Sequence, residues 1–181
     1  MAGTLTGRRV AILAARGVEQ AELVQPRQAV TEAGATTELL SLEPGTVQAT
    51  NHDIEPADQF DVDRVVAEAS IDDYDALLLP GGAVNPDTLR QNSAAVGFVR
   101  DFVAAGKPVG VICHGPWTLV EADVVRGRTL TSWPSMRTDI RNAGCTVRDQ
   151  EVVTDGNLVS SRGPDDLPAF CSAIVAHFAA T

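Results

Sequence analysis

Short, mostly apolar runs alternate along this chain with longer segments of helical period, and that alternation restricts the fold more than any other feature. The runs are residues 10–14, 36–41, 76–79 and 109–112. Each is too short for a stable helix, and most lack the every-second-residue polarity of a strand with one wet face. Continuous apolar strands are buried on both faces, as in parallel sheets covered by helices. The helix-period stretches are 19–33, closed by Gly34, and 93–105, closed by Gly106. Pro26 lies inside the first and is expected to bend it or confine its regular hydrogen bonds to either side. A closing helix over 164–180 carries Leu167, Phe170, Cys171, Ile174, Val175 and Phe178 on one face. These elements predict an α/β protein with a mostly parallel sheet. With no repeat or linker, residues 1–181 form a single domain.

Two stretches depart from the rhythm. Residues 45–73 are polar and read as an insertion, with a hairpin over 46–59. Further on, Val152-Val153 and residues 158–160 flank Asp155-Gly156-Asn157, a tight-turn signal between two short strands.

Composition excludes several classes of function. The 181 residues carry a formal net charge of −10, and phosphate binding needs a basic surface, so no nucleic-acid partner is expected. No apolar run approaches the roughly 20 residues of a membrane span. Met1 to Arg9 has no secretory pattern. The three cysteines, Cys113, Cys145 and Cys171, are far apart and form no C-x-x-C pair. Reduced thiols, a cytoplasmic location, and the absence of metal and cofactor are therefore expected.

Cys113 is the candidate nucleophile. It follows a strand and precedes Gly115 and Pro116, a proline where helices begin. Ligands of α/β sheets bind beyond the carboxyl ends of the strands, and a strand–Cys–x–Gly–helix turn is the thiol form of a nucleophile elbow. A helix N-terminus there is expected to favour the thiolate. Cys171 and Cys145 read instead as buried apolar residues. His114 is either an acid–base partner or a structural turn histidine. His52 and His177 read as surface residues. Glu19 and Glu22, three apart after the first strand, reach the same sheet edge. Either can touch the Cys113 sulfur, or both are first-turn acids favoured by the helix dipole. Gly81 and Gly82 end another strand there, and their N–H groups, with that of His114, are candidates for an oxyanion hole. Trp117 and Trp133 are candidate pocket walls or core residues.

Together these residues resemble the PfpI family of intracellular-protease-like proteins, in the ThiJ/PfpI superfamily with its glutamine-amidotransferase-like fold. The resemblance is carried by Gly17-Val18-Glu19-Gln20-Ala21-Glu22-Leu23, Leu79-Pro80-Gly81-Gly82, the run from Gly106 to Pro116 containing Ile112-Cys113-His114-Gly115-Pro116, Thr131-Ser132-Trp133-Pro134 and Val159-Ser160-Ser161-Arg162. It implies a flavodoxin-like three-layer sandwich that forms a homodimer or larger homo-oligomer. It implies Cys113 as nucleophile, His114 as its acid–base neighbour, Glu22 as the acid contacting the cysteine and Glu19 as a second acid. It also implies an oxyanion hole from Gly82 and the His114 amide. In PfpI-type peptidases a glutamate from a neighbouring subunit completes the triad. Asp87 stands at that position, one methylene shorter, and Trp133 stands where relatives often carry tyrosine. Both departures weaken the peptidase reading.

The leading expectation is a stress-response enzyme whose Cys113 attacks small reactive carbonyls, in glyoxalase- or deglycase-like chemistry. The alternatives are an oligomer-dependent cysteine peptidase acting on peptides, and a non-enzymatic redox sensor or holdase with an oxidisable Cys113.

Overall fold

The computed structural model describes residues 3–181. In chain order the elements are β1 (Arg9–Leu13), β2 (Val18–Glu19), α1 (Gln20–Glu32), β3 (Thr36–Ser41), β4 (Thr46–Asn51), β5 (Glu55–Asp61), β6 (Arg64–Val65), β7 (Ala76–Leu79), α2 (Val84–Leu89), α3 (Ser93–Ala104) and β8 (Val109–Ile112). They continue with α4 (Pro116–Glu121), β9 (Thr129–Leu130), α5 (Arg137–Asn142), β10 (Thr146–Val147), β11 (Val152–Asp155), β12 (Leu158–Ser161) and α6 (Leu167–Ala179).

The central sheet has the order β11-β12-β8-β7-β1-β3-β6. All its pairings are parallel except that of β11 with β12. Strands β7 and β8 are buried at every residue, which is why they read as unbroken apolar runs. Two apolar cores lie on opposite faces of the sheet. One holds Phe98, Phe102 and Leu119 from α3 and α4; the other holds Leu23 and Val30 from α1 with Phe170, Ile174 and Phe178 from α6. Each such side chain, buried, contributes roughly 1.5–3 kcal/mol. A Cβ on Gly110 would stand 2.8 Å from Ile174 and 2.9 Å from Leu78, so only glycine lets α6 lie this close to β8. The result is the expected flavodoxin-like three-layer sandwich.

Three local expectations change. Helix α1 runs unbroken through Pro26, which lacks only the N–H that would reach the Glu22 carbonyl. Glu19 is not in the first helical turn: it is extended, at φ −65° and ψ 119°, and pairs in β2 with Thr50 of β4. The 45–73 stretch is not wholly separate from the main sheet. Its hairpin, β4 with β5, joins β2 in a three-stranded sheet, but β6 returns to pair with β3.

Candidate active site

Strand β8 delivers Cys113 to the carboxyl edge of the sheet. Cys113 has φ +62°, a left-handed conformation that costs a non-glycine residue roughly 1–3 kcal/mol and marks an over-determined turn. Gly115 makes that turn possible, because a Cβ there would meet Leu79 O at 2.7 Å and Ile112 O at 2.9 Å. The backbone is pinned on both sides: Cys113 N–H donates to Ser161 O, and Trp133 N–H donates to Cys113 O, each at 3.1 Å. The strand-to-helix turn has the geometry of a nucleophile elbow, with α4 beginning at Pro116.

Glu22, one turn into α1, reaches the thiol. It is 1% exposed, and its Oε2 accepts the Gly81 N–H at 2.8 Å. Its Oε1 is buried without a hydrogen-bond partner of ordinary geometry, and the carboxyl is coupled to the Cys113 thiol. Gly81 lies between them: a Cβ there would sit 2.5 Å from both Cys113 Cβ and Glu22 Oε2. Burial raises the Glu22 carboxyl to about 8, reinforced by the charges of Glu19 and Asp53 and opposed by the Gly81 and Cys113 hydrogen bonds. The Cys113 thiol is also pushed up, first by burial and then by the Glu22 charge, while the Gly82 and His114 amides pull it down. Burial thus overrides the lowering expected from the helix N-terminus. Carboxyl and thiol act as one unit whose first proton leaves near the Glu22 value. Once the carboxyl is ionised, burial and the Glu22 charge hold the remaining proton on the sulfur, opposed by the Gly82 and His114 amides.

His114 is 6% exposed, and its Nδ1 lies 3.2 Å from the Cys113 sulfur. Its Nε2 lies 3.4 Å from Ser135 Oγ. Burial lowers its pKa, which favours the neutral imidazole, able to take or give a proton at the sulfur. Its ring lies between the two tryptophans, with centroids 5.4 Å from Trp117 and 6.0 Å from Trp133. Trp117 is tied by its Nε1–H to Asp139 at 2.9 Å, and Trp133 is 38% exposed.

The remaining expected residues divide. Gly82, at φ +83°, aims its N–H at the sulfur, and a Cβ on it would stand 2.3 Å from Gly17 O. Glu19 does not bond the thiol; it accepts the N–H groups of His52 and Asp53, each at 3.1 Å. Asp87 is exposed on α2, where Gln91 bonds its carbonyl at 2.7 Å, and it is not among the hydrogen-bond partners of His114 in its own chain. His52 is exposed as expected, but His177 is half-buried, with Nε2 out of solvent and unpartnered. Sequence reasoning missed Ser135, Asp53 and Asn85. Asn85 is fully buried and bonds Ala15 N–H, Pro80 O and Gly81 O, fixing the Gly81-Gly82 turn. Asp53 accepts the Ala83 N–H at 2.7 Å. Each bridges elements far apart in sequence and carries no local signal. Among the described residues, no group of three or more His, Cys, Asp or Glu is arranged to hold a metal, and no helix is long and apolar enough to cross a membrane.

The pattern of the DJ-1/PfpI family matches residues 8–177. The chain belongs to the DJ-1/PfpI family. It is 42% identical to Protein/nucleic acid deglycase 2 of Escherichia coli over 165 residues, covering 90% of this chain and 93% of that protein. It is 37% identical to YraA of Bacillus subtilis, provisionally named a cysteine protease, covering 90% of this chain and 94% of that one. The crystal structure of Drosophila melanogaster DJ-1beta superposes with a TM-score of 0.86 at 28% identity, covering 96% of this chain and 91% of that one. Relatives under both names point to an enzyme.

Proposed function

We propose that this protein is a cysteine-dependent enzyme of stress defence that converts small reactive carbonyl compounds, with Cys113 as nucleophile. The observation that carries this reading is the buried Glu22 carboxyl beside a strained elbow thiol, with the His114 imidazole 3.2 Å from the sulfur. The deglycase name of the 42%-identical relative supports the same chemistry.

The sulfur adds to an aldehyde carbon: an S–C bond forms, the thiol proton passes to Glu22, and the carbonyl electron pair moves onto oxygen. The Gly82 and His114 amides, which face the sulfur at rest, receive that oxyanion until it is protonated. With a 2-oxoaldehyde, His114 or Glu22 removes the proton from the former aldehyde carbon and a proton is returned to the adjacent carbonyl carbon. The hemithioacetal thereby becomes a thioester of a hydroxy acid, with no external oxidant. Water cleaves the thioester, releasing the acid and restoring the thiol.

The test is methylglyoxal turnover by wild type and Cys113→Ser. The expected result is steady hydroxy-acid formation by wild type, reduced at least ~100-fold in the variant. Equal turnover by both, or none by the wild type, would falsify the reading. Peptide cleavage abolished by Cys113→Ser, without carbonyl turnover, would replace it with the peptidase function.

A further inference from the structure

Three successive amides of the turn between β7 and α2 are each given to a different group that carries or can lose a proton. Gly81 N–H goes to Glu22, Gly82 N–H to the Cys113 sulfur, and Ala83 N–H to Asp53 Oδ1 at 2.7 Å. Asp53 comes from the tip of the β4–β5 hairpin, with φ +67°, and is held there by Glu19. Its other carboxylate oxygen makes no hydrogen bond among the described residues, and neither Asp53 nor Glu19 has a cationic partner there. The arginines nearest the two tryptophans are committed elsewhere: Arg90 to Glu121, Arg137 to Asp149, and Arg162 to Asp149 and Asp166. The charges acting on Glu22 are those of Glu19 and Asp53, and the charge acting on His114 is that of Asp53. The approach to the sulfur therefore carries two carboxylates, Glu19 and Asp53, that have no ion-pair partner among the described residues.

We infer that Asp53 is a specificity-determining residue of the Cys113 site, whose carboxylate admits uncharged and cationic electrophiles and disfavours those bearing a carboxylate. This rests on the reading of Cys113 as a nucleophile toward small electrophiles and names the charge class it accepts. An anionic substrate must bring its charge beside unneutralised carboxylates in a partly dewatered site, where like charges repel more strongly than in bulk water. A neutral aldehyde meets no such barrier, and an adduct carrying an ammonium or guanidinium group is attracted.

Alkylation reads this selectivity without any turnover. Iodoacetamide and iodoacetate are similar in size and differ in charge. With either, the sulfur displaces iodide: an S–C bond forms, the C–I bond breaks, iodide leaves with the bonding pair, and the thiol proton goes to solvent through Glu22. Rates at Cys113 are followed by peptide mass mapping, and their ratio is divided by the same ratio for N-acetylcysteine. The normalised ratio is expected to favour iodoacetamide by about tenfold in wild type. Asp53→Asn should lower it at least ~threefold, because asparagine keeps the Ala83 hydrogen bond and tolerates positive φ while removing the charge. High salt should narrow the wild-type ratio. A wild-type ratio within about twofold of unity, a ratio unmoved by Asp53→Asn, or a Cys113 that reacts with neither reagent overturns the inference. Should Asp53→Asn not fold, the wild-type ratio and its salt dependence decide. Selectivity without methylglyoxal turnover would retain this inference and sink the carbonyl-converting function, so the two fail separately.

Discussion

The elbow and the rim of this site are built by opposite means. At the elbow, Cys113, Glu22, Gly81 and Gly82 are buried, and backbone contacts leave no room for a further atom. At the rim, Ile54, Val84 and Trp133 are the exposed large apolar side chains of the described residues. Ile54 follows Asp53, Val84 follows Ala83, and Trp133 faces His114. Chemistry is thus confined to a closely packed part of the molecule, and contact with whatever approaches is left to side chains that are exposed. Damage at the elbow should cost activity and stability together, whereas damage at the rim should cost neither in an isolated chain.

Gly81→Ala tests the elbow most severely. The added methyl would sit 2.5 Å from Cys113 Cβ and from Glu22 Oε2, and 3.0 Å from the His114 nitrogen. The nucleophile and its acid must separate to admit it. Overpacking of this kind costs roughly 1–3 kcal/mol, and a 1 Å displacement of a reacting group costs about 100-fold in rate. Carbonyl turnover and the urea midpoint should fall together. Wild-type turnover in Gly81→Ala would show that the carboxyl–thiol contact is dispensable.

Glu22→Gln separates charge from shape at the same place. The Glu22 carboxyl rises from 4.5 to about 8 in the folded protein, so between those values the folded state keeps a proton the unfolded chain has released. Its stabilising contribution is complete below about 4.5 and declines as pH rises towards 8. The amide has nothing to titrate. Glu22→Gln should therefore flatten the loss of stability between pH 5 and pH 8, where a tenfold difference in proton affinity between the folded and unfolded chain is worth about 1.4 kcal/mol. Turnover should fall about 100-fold with loss of the proton acceptor, and the rise in wild-type rate through pH 8 should disappear. Urea titrations and rate profiles across that range measure both. A wild-type stability that does not decline over this window would mean that Glu22 is ionised in the folded protein.

The same division decides what the sequence makes visible. Strands β7 and β8 are legible to the residue, because a strand buried on both faces must be apolar throughout. The elbow is legible because a cysteine between an apolar strand and Gly-Pro has few other uses. Strands β2, β6, β9 and β10 have two residues each, too few to show a period. Glu19 reads in sequence as part of a helical face because its true partners, the His52 and Asp53 amides, arrive only when the hairpin folds back. Asn85 reaches Ala15 across the sheet edge, a relation with no local signal. The raised pKa of Cys113 is hidden for a similar reason: a helix N-terminus can be seen in sequence, but burial beside Glu22 cannot.

The rim supplies the smallest effect and the sharpest check on the contrast. Ile54 is 82% exposed, so Ile54→Ser removes apolar surface that water already covers in the single chain. Its effect on unfolding free energy should stay within about 0.5 kcal/mol. Urea unfolding at two protein concentrations, about a hundredfold apart, measures this. If the rim is free, both curves for the variant overlie those of wild type. If Ile54→Ser lowers the midpoint only at the higher concentration, association of copies buries the hairpin tip, since only an interface makes stability depend on concentration. The elbow would then stay as described, and the rim would have to be redrawn as a contact between chains.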